Sequence, residues 1–358
     1  MSNARKPIDR GLSIYFDAVR FLAAIVVVLH HVWPLIVPSL PLPWPGHEAV
    51  VVFFVLSGYL IAYTASDSTV HLKTYVEHRA ARILSVAIPA LLLAAVIAPF
   101  AAGSNIQYAG DLRLDTEQFW FASLLNALFL GQSLGMSVPA PLNGPFWSLC
   151  YEVWYYVIFA AWMYSSPRWR VALTVLAALV AGLKIVMLLP VWLLGVWLYH
   201  RMPLFTQKQA ITLFLASSLA AFLFFWFGAS HMIRGVMRAA APEFVDSLKG
   251  SNQFLGDLIL GVFVAANFAA AASLGSHLRS LFRIERQVRY VSSFTLSAYL
   301  YHMPLTILIW NGMGVHHAVN FLVVLSSLTI ALGYVTERRV KLLRRVIRMD
   351  FPRSSRIF

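Results

Sequence analysis

The 358 residues are 59% hydrophobic and 12% charged, against about 45–50% apolar and about 25% charged in soluble domains, which excludes a water-soluble fold. The formal charge of +13 does not mark a nucleic-acid binder, because the Lys and Arg residues sit in short loops beside apolar runs, where they act as topology signals. The single cysteine, Cys150, has no partner for an intrachain disulfide and carries no information about redox compartment.

A spanning helix takes about 20 mostly apolar residues. In chain order, suitable segments lie near 13–36, 47–66, 83–102, 144–164, 171–183, 185–200, 209–228, 253–273, 291–310 and 319–336. The first is expected to stay in the mature protein, since Asp17 and Arg20 interrupt any signal-peptide pattern and no small-residue cleavage site follows. The run 119–130 is short and suits a re-entrant or interfacial helix. The fifth and sixth segments are separated only by Leu183 and Lys184, and Pro190 interrupts the second of them, so they read as a short helical hairpin.

The expectation is therefore an all-α, polytopic membrane bundle of about ten transmembrane helices, forming one domain over 1–358. Of the 28 Lys and Arg residues, only Arg113, Lys184, Arg234, Arg238 and Lys249 fall on one set of alternate connections; all others except Arg20 fall on the opposite set. That asymmetry places both termini in the cytoplasm and makes the basic tail 337–358 a contact for anionic membrane lipids.

Ionisable groups inside a span cost a few kcal/mol each and call for a partner or a function. The first span contains Asp17, Arg20, His30 and His31; the second has Ser57 and Gly58 at its centre; the fourth buries Glu152; the ninth buries His302 just before Pro304. At 1.5 Å per residue, His31 lies about 16 Å further along its helix than Arg20, and Glu152 and His302 fall at similar middle or outer-middle depth, so one polar cavity can hold them.

Each position also has a structural reading. Arg20 can pair with Asp17 three residues away. His30 points about 100° away from His31 and reads as structural. Ser57 and Gly58 suit close helix packing, and His302 suits carbonyls released by Pro304. Arg79 and Arg82 can be topology signals. Glu152, among Trp147, Trp154 and Tyr155, is hardest to explain without a partner. Cys150 is a poor nucleophile in its apolar setting.

The motifs occur in a telling order. Arg20 is followed after ten residues by His31; FFVLSGYLI stands at 53–61, HRAARIL with Arg79 and Arg82 at 78–84, FWSLCYEVWYY with Glu152 at 146–156, LSAYLYHMPL with His302 at 296–305 and VTERR at 335–339. Across essentially its whole length the chain resembles acyltransferase family 3. The resemblance implies transfer of an acyl group, commonly acetyl, from a coenzyme A thioester to a hydroxyl of a cell-surface or exported saccharide or glycoside, in the inner (plasma) membrane. Some members carry a fused extracytoplasmic hydrolase-like domain, for which no room is expected here.

Under that resemblance Arg79, Arg82 and Arg20 hold the anionic end of acyl-CoA, a donor substrate rather than a tightly bound cofactor, and no metal is implied. His31 acts as general base, Glu152 supports it, and Ser57, Trp147 and His302 contact substrate or support the site. A secondary transporter or flippase for a glycan or lipid-linked substrate is the alternative, with the intramembrane charges lining a path.

Overall fold

The computed structural model describes residues 8–67, 70–101, 116–275, 277–340 and 342–344. Among the described residues the secondary structure is helical, with no strand. The helices are α1 (Arg10–Ile36), α2 (Gly46–Ala65), α3 (Leu72–Ala101), α4 (Thr116–Ala127), α5 (Phe146–Tyr164), α6 (Pro167–Ala181), α7 (Leu183–His200), α8 (Gln207–Trp226), α9 (Ala229–Ala240), α10 (Pro242–Ser247), α11 (Phe254–Ser273), α12 (Glu285–Ser292), α13 (Thr295–Ile307) and α14 (Ala318–Val335).

Every one of the ten apolar segments contains a helix, and among the described residues seven stretches are long and apolar enough to cross a membrane: α1, α2, α3, α7, α8, α11 and Ala318–Arg344, which includes α14. Helix α6 has 15 residues and α13 has 13, short of the roughly 20 that a hydrocarbon core requires. The expected ninth span, 291–310, is in fact broken: α12 ends at Ser292, α13 starts at Thr295, and a π-helical turn, Leu308–Gly312, follows. The expected short helix at 119–130 is present as α4, and the hairpin is present as α6 and α7. Its turn is Gly182, at φ +88°, a conformation that glycine adopts without a Cβ penalty. Arg113, the first seven residues and residues 345–358 of the basic tail lie outside the described residues.

The bundle turns apolar side chains both inward and outward. Leu92, Val96, Leu179, Leu215, Val319 and Val323 are exposed, as suits helices whose outer surface meets lipid tails. Helix α2 is packed on α1, α5, α7 and α11. Its closest approach is to α7: a Cβ on Gly58 would sit 2.0 Å from the Trp192 carbonyl oxygen, and one on Gly195 would sit 1.9 Å from that of Val55. Two glycines thus let the backbones touch and fix the height of Ser57 against Trp192.

Two carboxylates secure helix starts relevant to the site. Asp9 accepts from the amides of Gly11 and Leu12 at the head of α1. Glu337, in the VTERR segment after α14, accepts from the amides of Leu296 and Ser297 and from the Ser297 hydroxyl at the head of α13. The positive end of a helix dipole favours such an anion.

Candidate active site

A cavity of about 260 Å³ opens between α1, α2, α3, α5 and α13. Its polar wall comprises Arg20, Ser57, Arg79, Arg82, Glu152 and Tyr156, and Phe53, Phe54, Leu60 and Ile83 supply apolar wall. Arg82 is exposed, whereas Arg79, Ser57 and Glu152 are half-buried, so the cavity leads from a basic mouth inward to a serine and a carboxylate. Arg79 and Arg82 share a face of α3 because they are three residues apart.

Arg20 and Arg79 are only partly engaged by protein. Arg20 donates to Asp17 at 2.7 Å. The other oxygen of Asp17 accepts from Arg289 at 2.9 Å, and Arg289 and Arg10 both bond Glu285. A chain of alternating charges thus runs from the exposed start of α1 to the cavity wall. Pairing with Asp17 and lining the cavity are both true of Arg20. Arg79 lies 3.5 Å from the Thr64 hydroxyl and above the Tyr156 ring. The buried Nε atoms of Arg20 and Arg79 have no hydrogen-bond partner. A buried unsatisfied donor costs about 1–3 kcal/mol, more when charged.

Glu152 has the partner its position demanded, but that partner is not a cation. Its Oε1 accepts from the Ser57 hydroxyl at 2.5 Å and from the Tyr156 hydroxyl at 2.5 Å. The Trp192 indole N–H donates to Ser57 Oγ at 3.2 Å. These bonds give the carboxyl group polar partners within a largely apolar helix.

His31 belongs to a neighbouring group. Its Nδ1 lies 2.8 Å from the Val27 carbonyl and 3.3 Å from His302 Nε2, and His302 Nδ1 lies 3.0 Å from the Ala298 carbonyl. A carbonyl only accepts, so His302 carries its proton on Nδ1 and presents an accepting Nε2. His31 Nδ1, facing that nitrogen and a carbonyl, carries the proton of its own ring. The lone pair of a neutral His31 is therefore on Nε2. The Val27 carbonyl sets this tautomer and His302 on α13 reinforces it, while Glu152, expected to support His31, bonds Ser57 and Tyr156. Tyr299 stands between the two groups, lining the cavity with its ring centroid 6.5 Å from that of His302.

Trp147 lies elsewhere than the cavity wall. Its ring stacks on His47, with centroids 5.9 Å apart, and His47 Nε2 lies 3.0 Å from both oxygens of the fully buried Asp257. His30 contacts the Trp44 carbonyl at 2.8 Å, in keeping with a structural role. Cys150 is buried, with Asn126 Oδ1 at 3.7 Å, and no activating base is among its contacts. Sequence reasoning missed Tyr156, Trp192, Tyr299, His47 and Asp257. Of these Asp257 carried a signal, as a carboxylate inside an apolar run; hydroxyl and indole groups in an aromatic-rich span do not stand out.

The fold and site define a polytopic helical membrane protein with a cation-lined internal cavity that ends on a serine, a carboxylate and, close by, a histidine pair. The family model described as acyltransferase domain matches residues 13–338, and the chain belongs to that family. It is 25% identical over 332 residues to the peptidoglycan O-acetyltransferase OatA of Listeria monocytogenes, an alignment covering 81% of this chain and 48% of that protein. The chain thus matches about half the length of this curated relative. No solved structure matches it.

Proposed function

We propose that the protein is a membrane O-acyltransferase that takes an acyl group, acetyl in the simplest case, from cytoplasmic acyl-CoA and places it on a hydroxyl of a cell-surface or exported saccharide. The observation that carries this reading is the convergence of Arg20, Arg79 and Arg82 with Ser57 and Glu152 in one cavity. Coenzyme A brings phosphates to the arginines, where charge-assisted bonds are strong, and its flexible pantetheine arm reaches inward to the serine and carboxylate. The name of the Listeria relative supports an acetyl group and a glycan acceptor. Ten crossings, cytoplasmic termini and residence in the inner membrane complete the proposal, resting on the distribution of Lys and Arg.

In this scheme the acceptor hydroxyl gives its proton to His31 Nε2, while His302 holds the ring through Nδ1. Purified protein incubated with acetyl-CoA and a soluble muropeptide or glycoside should release free coenzyme A and form an acetyl ester in equal amounts. A carrier or flippase would translocate the glycan and leave the thioester intact, and that result would refute the reading.

A further inference from the structure

We infer that Glu152 binds the arm of coenzyme A: its Oε2 accepts a hydrogen bond from the cysteamine-side amide of pantetheine and so sets how deep the thioester sits. The inference rests on the acyl-CoA reading of the cavity and deepens it. Glu152 stands in the cavity wall. The Ser57 and Tyr156 hydroxyls both donate to its Oε1, and the Trp192 indole donates to Ser57 Oγ. One carboxylate oxygen therefore does all the holding. Among the described residues no donor meets Oε2, which leaves that oxygen to the cavity. A carboxylate that only clamped α5 to α2 would need no place in this wall, and an acceptor set among apolar groups calls for a donor.

The order of groups along the cavity matches the order of groups along the ligand. Arg79 and Arg82 stand at the mouth, and Ser57, Tyr156 and Glu152 follow. Beyond them the wall is apolar, with Val50, Phe53 and the ring of Tyr299, whose hydroxyl is tied to Ser148 and the Pro145 carbonyl. Coenzyme A presents phosphates, then two amides with N–H donors, then the acyl thioester. The arginines attract the phosphates and Glu152 repels them, so the donor enters arm first and its phosphates stop at the mouth.

The spacing gives the same register. Arg79 Nη2 lies 3.5 Å from Thr64 Oγ1, which puts the phosphate end level with Thr64. Ser57 is seven residues away along α2, about 10 Å deeper. An extended chain gains roughly 1.2 Å per bond, so the second amide nitrogen of pantetheine, nine bonds from the phosphate-ester oxygen, reaches about 11 Å. The first amide nitrogen, five bonds out at about 6 Å, stops short of Glu152. The acyl carbon lies four bonds beyond the second, about 5 Å further. That is close to the level of Phe53, four residues and about 6 Å beyond Ser57. Phe53 packs on Tyr299 with ring centroids 5.7 Å apart, and the Tyr299 ring is 6.5 Å from that of His302. The bond to Glu152 thus carries the acyl group past Ser57 toward the histidine pair, and a shift of this contact displaces the acyl carbon as well as weakening the bond.

The test measures direct binding to full-length protein in lipid nanodiscs with three probes. They are acetyl-CoA, an analogue whose cysteamine-side amide is replaced by an ester without the N–H, and 3′-phosphoadenosine 5′-diphosphate, which keeps the phosphates and lacks the arm. Glu152→Gln keeps the size of the side chain and an oxygen for Ser57 and Tyr156, but turns an amide donor toward the pantetheine N–H. It should bind acetyl-CoA about tenfold or more weakly and the phosphate probe as the wild type does. The wild type should lose a similar factor with the ester analogue, and the variant should lose nothing further on the same change, the sign of a direct contact. Unchanged affinity of Glu152→Gln for acetyl-CoA, equal loss of acetyl-CoA and the phosphate probe, or ester and substitution effects that simply multiply would overturn the inference and leave Glu152 another role in the same enzyme. A wild-type protein that binds neither acetyl-CoA nor the phosphate probe would overturn the function together with the inference.

Discussion

His31 and His302 are 271 positions apart in sequence and meet in the fold, and the Val27 carbonyl together with His302 fixes which imidazole nitrogen of His31 is basic. A base so placed contributes about 10² to 10⁴ in rate. His31→Ala is therefore expected to lower saccharide acetylation by that factor while leaving acetyl-CoA affinity nearly unchanged, because His31 lies outside the cavity wall; steady-state kinetics with a direct binding assay checks both halves. A variant with normal turnover would remove His31 from the chemistry. Most of the candidate residues were legible in the sequence because Arg20, Glu152 and His302 interrupt apolar runs. Which of them meet was not legible. Glu152 was expected at the depth of His31, but Gly46 packs on His30 while Glu152 bonds Ser57 eleven residues further along α2, so counting from the ends of apolar runs misjudged depth as well as azimuth, and packing gave Glu152 to Ser57 and His302 to His31.

At the scale of elements, the contact between α2 and α7 carries the site. Gly58 and Gly195 leave no room for even a methyl group, and overpacking at such a place costs about 1–3 kcal/mol or more. Gly58→Ala should lower the apparent melting temperature and, by moving Ser57 away from Trp192 and Glu152, reduce turnover by more than it reduces acetyl-CoA binding. Equal loss of both would mean that the glycine serves packing alone. Helix existence was well read from apolar runs, but helix ends were not. Helix α3 begins at Leu72, eleven residues before the apolar part that marked it, because hydropathy reports hydrocarbon depth while the hydrogen-bonded spiral continues through Lys73, His78, Arg79 and Arg82. The ninth segment differs at its start: its apolar content masked the break at Ser293 and Phe294 between α12 and α13, after which helix continues through the π-helical turn to Gly312.

For the whole molecule, the asymmetry of basic residues and the cavity bear on the same question of sidedness. Arg79 and Arg82 lie on the side that the distribution of Lys and Arg assigns to the cytoplasm, and the donor envisaged for the cavity is a cytoplasmic metabolite too anionic to cross a bilayer. Sealed membrane vesicles of defined orientation, titrated with radiolabelled coenzyme A, examine both at once. Inverted vesicles, with the cytoplasmic face outward, should bind the coenzyme saturably, right-side-out vesicles should not, and Arg79→Ala or Arg82→Ala should weaken binding in the inverted set by the roughly tenfold or more that loss of a charge-assisted phosphate contact brings. Saturable binding only to right-side-out vesicles, or binding indifferent to both arginines, would contradict the account.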